Sequence, residues 1–201
     1  MKIVITPVYL SLIMALSSAI SAQSLTTSLR VGMDYNETYL VTDNLLGTSN
    51  YGDFTSIWGY RAGVTLDAKV YKAFSIDSEL GYSRGGFDGY QHAYRKNIDQ
   101  VYLSLTPQYD VFRFLKIKGG LLLNYNIKST DFILNTVEPL NYGLTTGITG
   151  SFDWFEVGFR YTHYLNYYYA YKKRNVGFDN GYQYWDIYSF FMGFKLWKSK
   201  K

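Results

Sequence analysis

The stretch DWFEVGFRYTHYL, residues 153–165, alternates strictly from Phe155 onward. Successive side chains of a β-strand point to opposite faces, so one face here is apolar apart from His163, and the other carries Glu156 and Arg160. In a water-soluble protein the apolar face would form the core. In a membrane barrel the apolar face would meet lipid and the charged face would line the interior. The rest of the chain decides between these two arrangements.

Two-residue alternation recurs along the chain and predicts eight β-strands. The predicted strands span residues 25–35, 57–70, 75–83, 98–109, 115–128, 141–152, 155–165 and 184–197. Short turns alternate with long segments rich in Gly, Asn and Asp, and the long segments are residues 36–56, 84–97, 129–140 and 166–183. Short turns at one end and long loops at the other are typical of an up-and-down antiparallel barrel.

The predicted strands have an apolar face with almost no charge and a polar face. Charged residues of the polar face are Arg30, Asp34, Arg61, Asp67, Lys69, Asp77, Glu79, Lys118, Glu156, Arg160 and Lys195. These six basic and five acidic side chains nearly cancel, as a buried ion-pair network requires. The same face holds nine of the 18 glycines, which remove side chains where space is limiting.

Aromatic residues make up 39 of the 201 residues and concentrate at the strand ends, as at a bilayer's two interfaces. Trp154 and Trp197 mark the short-turn end, and Trp58 and Tyr188 mark the long-loop end. A secreted lipocalin-like barrel or β-sandwich is the alternative, but it would have to expose the charged, glycine-bearing face to water. We therefore expect an all-β fold: an eight-stranded antiparallel up-and-down transmembrane β-barrel with short periplasmic turns and long extracellular loops.

The chain begins with a pattern typical of a secretory signal peptide. Lys2 precedes an apolar run from Ile3 to Leu16, and small residues follow up to Ala22. Neither this run nor any later one is long enough for a transmembrane helix. The expected organisation is a signal peptide at 1–22, an outer-membrane barrel at 23–197 and a basic tail at 198–201. The absence of Cys excludes disulfides and a cysteine-linked lipid anchor.

The formal charge of +4 is concentrated at the chain ends. Without Lys2, Lys198, Lys200 and Lys201, 16 basic and 16 acidic side chains remain. A neutral body does not indicate a nucleic-acid surface. The expected partners are outer-membrane lipid, including lipopolysaccharide, and other outer-membrane or periplasmic proteins.

Two of the long loops combine aromatic rings with cations and form a candidate binding surface. Its members are Arg84, Arg95, Lys96, Tyr167, Tyr168, Tyr169, Tyr171, Lys172, Lys173 and Arg174. Such a surface fits sugars, a protein partner or lipopolysaccharide phosphates. The other interpretation is that the rings extend the interfacial girdle and the cations are solvated or meet the anionic leaflet.

The stretches YLSLTPQYDVFRFLKIKGGLLLNYNI, residues 102–127, and NYGLTTGITGSFDWFEVGFRYTHYL, residues 141–165, carry a family resemblance. The chain resembles the small outer-membrane β-barrel proteins of the Bacteroidota, the porin family of PorT-like proteins. The resemblance implies an outer-membrane location and eight to ten strands. It implies no single activity, because members serve as accessory parts of secretion or assembly machines or as stabilising barrels. The basic residues after Trp197 depart from the family's usual C-terminus, which ends on the aromatic residue.

The interior charges predict a plug more than a conduit, because eight strands leave a lumen just wide enough for side chains to fill. The expected lumen network consists of Arg30, Asp67, Lys69, Asp77, Glu79, Lys118, Glu156, Arg160 and Lys195. A buried charge is costly unless it is paired, so we expect at least one carboxylate within ion-pair distance of Arg160. A narrow small-solute channel is the alternative function that this network leaves open.

A lipid-modifying enzyme is the other alternative, and the sequence gives it little support. An acyl-transfer site needs a His beside a Ser and a carboxylate, but Tyr164 and Leu165 follow His163. The dipeptide Asp77-Ser78 is predicted at the opposite end of the barrel from His92. Two isolated histidines do not make a metal site. We therefore predict no catalytic residue, metal or cofactor, and expect a non-enzymatic structural or accessory subunit of an envelope complex.

Overall fold

The structure, a computed structural model, describes residues 24–42, 49–50, 55–88, 95–129, 139–166, 169–171 and 181–200. Nearly all of these residues lie in strands. The strands are β1 (Ser24–Thr42), β2 (Ser49–Asn50), β3 (Thr55–Tyr71), β4 (Phe74–Asp88), β5 (Arg95–Phe112), β6 (Leu115–Ser129), β7 (Leu140–Ser151), β8 (Phe155–Tyr164), β9 (Tyr169–Tyr171) and β10 (Gly181–Lys200). The described residues include no helix of the length and apolarity needed to cross a membrane.

The eight long strands form a closed antiparallel barrel. Each long strand pairs with its neighbour along the chain, and β1 also pairs with β10 over its full length, which closes the sheet. The short strand β2 pairs with the last two residues of β1, and the short strand β9 pairs with the first three residues of β10. Closure leaves the wall without a free edge, so backbone donors and acceptors are satisfied within it. The predicted eight-stranded barrel is therefore confirmed.

The barrel exposes apolar side chains on its outer wall and buries polar side chains in its interior, the reverse of the arrangement in a soluble protein. Leu80 and Leu121 on the outer wall are 59% and 47% exposed, whereas Glu79 and Arg160 on the inner wall are each 1% exposed. The residues of the inner wall are largely Ser, Thr, Asn, Gln and charged side chains. An apolar outer wall of this kind requires hydrocarbon around it.

The strands reach further toward the long-loop end than the sequence indicates. β1 continues to Thr42 and β4 to Asp88, so parts of the predicted loops 36–56 and 84–97 are strand. Antiparallel pairing with the next strand satisfies the backbone there and makes this extension favourable. At the other end β10 runs to Lys200, so Lys198 and Ser199 lie in the last strand.

The predicted signal peptide, residues 1–22, lies outside the described residues. The turns between β3 and β4, between β5 and β6, and between β7 and β8 are two or three residues long and lie at one end of the barrel, which we call the short-turn end. The opposite end, where the connections are long, is the long-loop end.

Candidate functional site

The centre of the lumen is occupied by a cluster of charged side chains from β1, β4 and β8. Arg30 Nη1 lies 2.6 Å from Asp77 Oδ2 and 3.0 Å from Glu79 Oε2, and Arg30 Nε donates to Glu156. Arg30 thus neutralises carboxylates from two strands that face each other across the lumen. Inward-facing positions two residues apart on β4 place Asp77 and Glu79 side by side on the same guanidinium.

The carboxylate expected beside Arg160 is that of Glu79. Arg160 Nη1 lies 3.2 Å from Glu79 Oε2, and the Tyr102 hydroxyl donates to Glu79 Oε1. All three side chains are essentially inaccessible to water. Charge-assisted hydrogen bonds of this kind are strong, and they hold β4, β5 and β8 together through the interior.

Phe191 on β10, the strand between β1 and β8, contacts the cations of the cluster. Its ring centroid lies 5.0 Å from Arg30 Cζ and 4.4 Å from Lys118 Nζ. Lys118 also lies 3.6 Å from Asp77, although its ammonium has no hydrogen-bond acceptor in the described structure. A cation over an aromatic face gains electrostatic energy, more so when it is desolvated. Phe191 is therefore a functional part of the plug.

A second ion pair lies further toward the long-loop end. Arg61 Nε donates to both carboxylate oxygens of Asp34, at 2.7 and 2.9 Å. The Arg61 guanidinium also lies 5.0 Å from the centroid of the Tyr102 ring. Tyr102 therefore connects this pair to the central cluster through Glu79.

Toward the long-loop end the lumen combines an apolar cluster with buried Asn and Gln side chains. The buried residues of this part are Ile98, Tyr102, Leu122, Tyr164, Trp185 and Ile187. At the edge of this cluster Asn124 Nδ2 donates to Gln100 Oε1 at 2.8 Å and to the Tyr164 hydroxyl. Among the described residues, the cluster and the ion pairs occupy the lumen from its middle toward the long-loop end.

A water-accessible cavity occupies the lumen at the short-turn end, and we call it the vestibule. Its volume is about 620 Å³, and it ends inside the barrel at Arg30 and Glu156. Two ion pairs line it. Lys116 Nζ lies 2.5 Å from Asp67 Oδ2, and Lys69 Nζ lies 3.1 Å from Asp110 Oδ2. The barrel is thus open from one end and filled beyond its middle.

The predicted lumen residues all lie on the inner wall, in two groups. The central group is Arg30, Asp77, Glu79, Lys118, Glu156 and Arg160. Asp67, Lys69 and Lys195 line the vestibule instead. Lys195 donates to Ser151 Oγ at 2.9 Å and to the Phe152 carbonyl, and no carboxylate of the described structure lies within ion-pair distance of it.

Several important interior residues are absent from the predicted network. Asp110 and Lys116 complete the vestibule ion pairs, and Phe191 and Tyr102 carry the cations of the centre. Lys116 has the strand parity of Lys118, and Phe191 that of Lys195. Tyr102 and Asp110 on β5 have the parity opposite to that of the outward-facing Val101. The two-residue alternation, applied to every position of each strand, predicts all four as interior residues. The predicted network contained only charged residues, and not all of those on the inner face.

The candidate loop surface is described only in part. Arg84 lies on β4, on the outer wall, with its Nε 3.5 Å from Asp99 Oδ1, and it is therefore a strand residue. Arg95 and Lys96 fall on β5, and Tyr169 and Tyr171 on β9, with side chains outside the described structure. Tyr167, Tyr168, Lys172, Lys173 and Arg174 lie outside the described residues altogether.

His163 forms a pair that the sequence did not predict. Its Nδ1 lies 2.8 Å from Asp186 Oδ1, and the Tyr161 hydroxyl donates to the other oxygen of Asp186 at 3.1 Å. The pair faces outward on the wall near the long-loop end. No Ser or Thr hydroxyl of the described residues contacts the other ring nitrogen, and no group of three metal-ligating side chains occurs among them.

Comparison with solved structures identifies the fold. The outer membrane protein OprG from Pseudomonas aeruginosa matches with a TM-score of 0.50 and 14% identity, over 88% of this chain and 97% of that chain. Neisserial surface protein A (NspA) matches with a TM-score of 0.50 and 13% identity, over 85% of this chain and 97% of that chain. No protein-family model and no curated protein matches the chain. The fold is that of the small eight-stranded outer-membrane barrels.

The fold and the apolar outer wall together place the protein in the cell outer membrane. In such barrels the short turns face the periplasm and the long loops face outside. The vestibule then opens toward the periplasm. None of the matches narrows the relationship to the PorT-like proteins.

Proposed function

We propose that the protein is a closed, non-enzymatic barrel that serves as a structural or accessory subunit of an envelope complex, acting through its ends or its outer wall. The observation that carries the proposal is the filled lumen. Arg30 and Arg160 are held by carboxylates from the facing strands, and Trp185 and Ile187 fill the space above them. A solute would have to break several buried ion pairs to pass, and each such pair is costly to separate.

The resemblance to the PorT-like proteins is compatible with an accessory role, because some members of that family serve as accessory parts of secretion or assembly machines. A barrel with a blocked interior still offers three surfaces to partners. These are the vestibule, the long-loop end and the apolar wall.

The outer wall near the long-loop end supports lipopolysaccharide as its lipid partner. Arg84 lies beside Asp99 there and is partly exposed, and the rings of Tyr60 and Tyr82 lie 6.2 Å apart on the same wall. Cations beside interfacial aromatic rings suit anionic headgroups. Mixed-lipid vesicles with and without lipopolysaccharide, compared for the rate of insertion, test this partner.

Absence of enzymatic activity is part of the proposal. The His163–Asp186 pair has the geometry of a base and its orienting acid, but no Ser or Thr hydroxyl of the described residues contacts the imidazole. Acyl transfer would require such a nucleophile. Incubation of the barrel with lipid A and phospholipid, followed by mass spectrometry of the lipids, tests this part; a modified lipid lost in His163→Gln would refute it.

A narrow channel is the second candidate, and the vestibule favours it. The cavity already penetrates to Arg30, and Lys118 Nζ, Arg61 Nη1 and Arg160 Nε have no hydrogen-bond acceptor in the described structure. Water in an intermittently open path would satisfy those groups.

Planar-bilayer recordings on the purified full chain decide between the two. The closed barrel predicts no resolved conductance steps in molar KCl, and the channel predicts uniform steps. Purification in mild detergent, with co-purifying proteins identified, tests the accessory role. Steady conductance together with an absence of co-purifying proteins would overturn the proposal in favour of the channel.

A further inference from the structure

The vestibule has the dimensions of a binding site. Its volume of about 620 Å³ lies within the range of roughly 300–1,000 Å³ typical of ligand pockets. It is enclosed by the barrel wall on its sides and by the Arg30–Glu156 pair at its inner end. Lipid headgroups cannot enter through a closed wall, so any occupant comes from the periplasm through the mouth.

Cations without carboxylate partners surround the mouth. Lys195, Lys198 and Arg113 all line the vestibule, and none has a carboxylate within ion-pair distance in the described part of the chain. By contrast, Lys69 and Lys116 in the same wall are both paired with aspartates. Asp153 at the rim is the acidic counterpart of these three cations. The mouth therefore has an excess of positive charge that favours an acidic ligand.

The part of the vestibule wall formed by β3, β4 and β5 has polar atoms without hydrogen-bond partners. Oδ1 of Asp67 and Oδ1 of Asp110 are buried and accept no hydrogen bond, although Oδ2 of each is bound by a lysine. The Ser75 hydroxyl, in a residue that is 2% exposed, also has no partner. Buried polar atoms in proteins normally find partners. The Asp67 and Asp110 side chains line the vestibule and are 19% and 25% exposed, so rotation of either carboxylate would bring its unpaired oxygen to a ligand with N–H donors.

We propose that the vestibule binds an acidic peptide segment presented by a periplasmic protein. The backbone N–H groups of a peptide would donate to the Asp67 and Asp110 carboxylates, while acidic side chains would meet Lys195, Lys198 and Arg113. An anion without N–H or O–H groups, such as sulfate or acetate, satisfies only the cations. The inference rests on the proposed accessory function, since it names the chemistry of a partner.

The test uses the full chain in nanodiscs and a fluorescein-labelled hexaglutamate peptide, followed by fluorescence anisotropy. The double variant Lys195→Gln/Lys198→Gln is expected to weaken binding about tenfold or more, the scale of a lost charge-assisted hydrogen bond. Lys72→Gln is the matched control, because Lys72 lies in the turn after β3 at the same end but does not line the vestibule. It should leave binding unchanged. Thr26→Trp, which fills the cavity without changing its charge, should abolish binding.

Heat-modifiability on gels confirms that each variant folds. Absence of hexaglutamate binding, or equal loss in Lys72→Gln and the double variant, would overturn the proposal. Citrate that displaces the peptide at equal or lower concentration would also overturn it, in favour of a simple anion site. Planar-bilayer recordings test the closed-barrel proposal independently. If that proposal is wrong, the barrel conducts ions, whereas if the peptide proposal is wrong, hexaglutamate does not bind as expected.

Discussion

Arg160 on β8 and Glu79 on β4 meet inside the lumen, with Nη1 of Arg160 3.2 Å from Oε2 of Glu79. The two partners are not equivalent. Glu79 also accepts hydrogen bonds from Arg30 and from the Tyr102 hydroxyl. Arg160 has no second carboxylate within ion-pair distance in the described structure. Removal of the Glu79 carboxylate is therefore expected to destabilise the barrel more than removal of the Arg160 guanidinium.

Glu79→Gln is expected to lower the free energy of unfolding by about 3–5 kcal/mol, because it leaves the Arg160 guanidinium buried without a counter-ion. Arg160→Met should cost less, since Glu79 keeps Arg30 and Tyr102. Urea titration of the barrel in lipid vesicles measures both values. The double variant should cost less than the sum of the two single changes. Equal costs for the single variants would show that Arg30 does not compensate Glu79.

Gly158→Ala is expected to destabilise the barrel by about 1–3 kcal/mol through overpacking. A Cβ at this inward position would lie 2.3 Å from Cζ of Phe191, the ring that supports Arg30 and Lys118. Gly119→Ala is the matched control, because its Cβ would point outward and meet nothing closer than the Thr145 carbonyl at 3.6 Å. Urea titration should show a clear loss for the first and little change for the second. Equal effects would mean that Phe191 moves aside without cost.

The barrel and the direction of its faces were predictable because both depend on a local rule. A strand has a period of two, so the face of Arg160 follows from that of Phe159 once one of them is assigned to lipid. The balance of charges and the position of the glycines then decide which face is inside. These are properties of the sequence that do not require knowledge of contacts between distant residues.

Partner choice within the lumen was not predictable. Arg30 joins residues 47 and 126 positions away in the chain, and which carboxylate it meets depends on strand stagger across the barrel. The apolar cluster in the lumen toward the long-loop end was not predicted either, for another reason. Trp185 and Ile187 are inward-facing, but an apolar residue next to an apolar outer face carries no distinguishing local signal.

Leu121→Arg is expected to block insertion or to lower stability by about 2–4 kcal/mol, because Leu121 faces lipid in the middle of β6. Leu121→Phe is the control, since a ring of this kind remains soluble in hydrocarbon and should be tolerated. Folding yield into vesicles, read by heat-modifiability, measures both. Normal insertion of Leu121→Arg would contradict the outward assignment of this face.

The orientation of the barrel in the membrane gives the last prediction. A chain without native Cys allows single-cysteine labelling. Asn175→Cys, in a long loop outside the described residues, should react with an impermeant maleimide on whole cells. Arg113→Cys, exposed in the turn between β5 and β6, and Ser199→Cys near the end of β10 should react only after the outer membrane is permeabilised.

The physical reason is the asymmetry of such barrels, in which long loops lie outside and short turns remain in the periplasm. Labelling of all three cysteines after permeabilisation shows that each is accessible and serves as the control. Arg113→Cys that reacts on intact cells, with Asn175→Cys protected, would reverse the orientation. The vestibule, which Arg113 lines, would then open to the outside, and an acidic ligand would have to come from the medium and not from the periplasm.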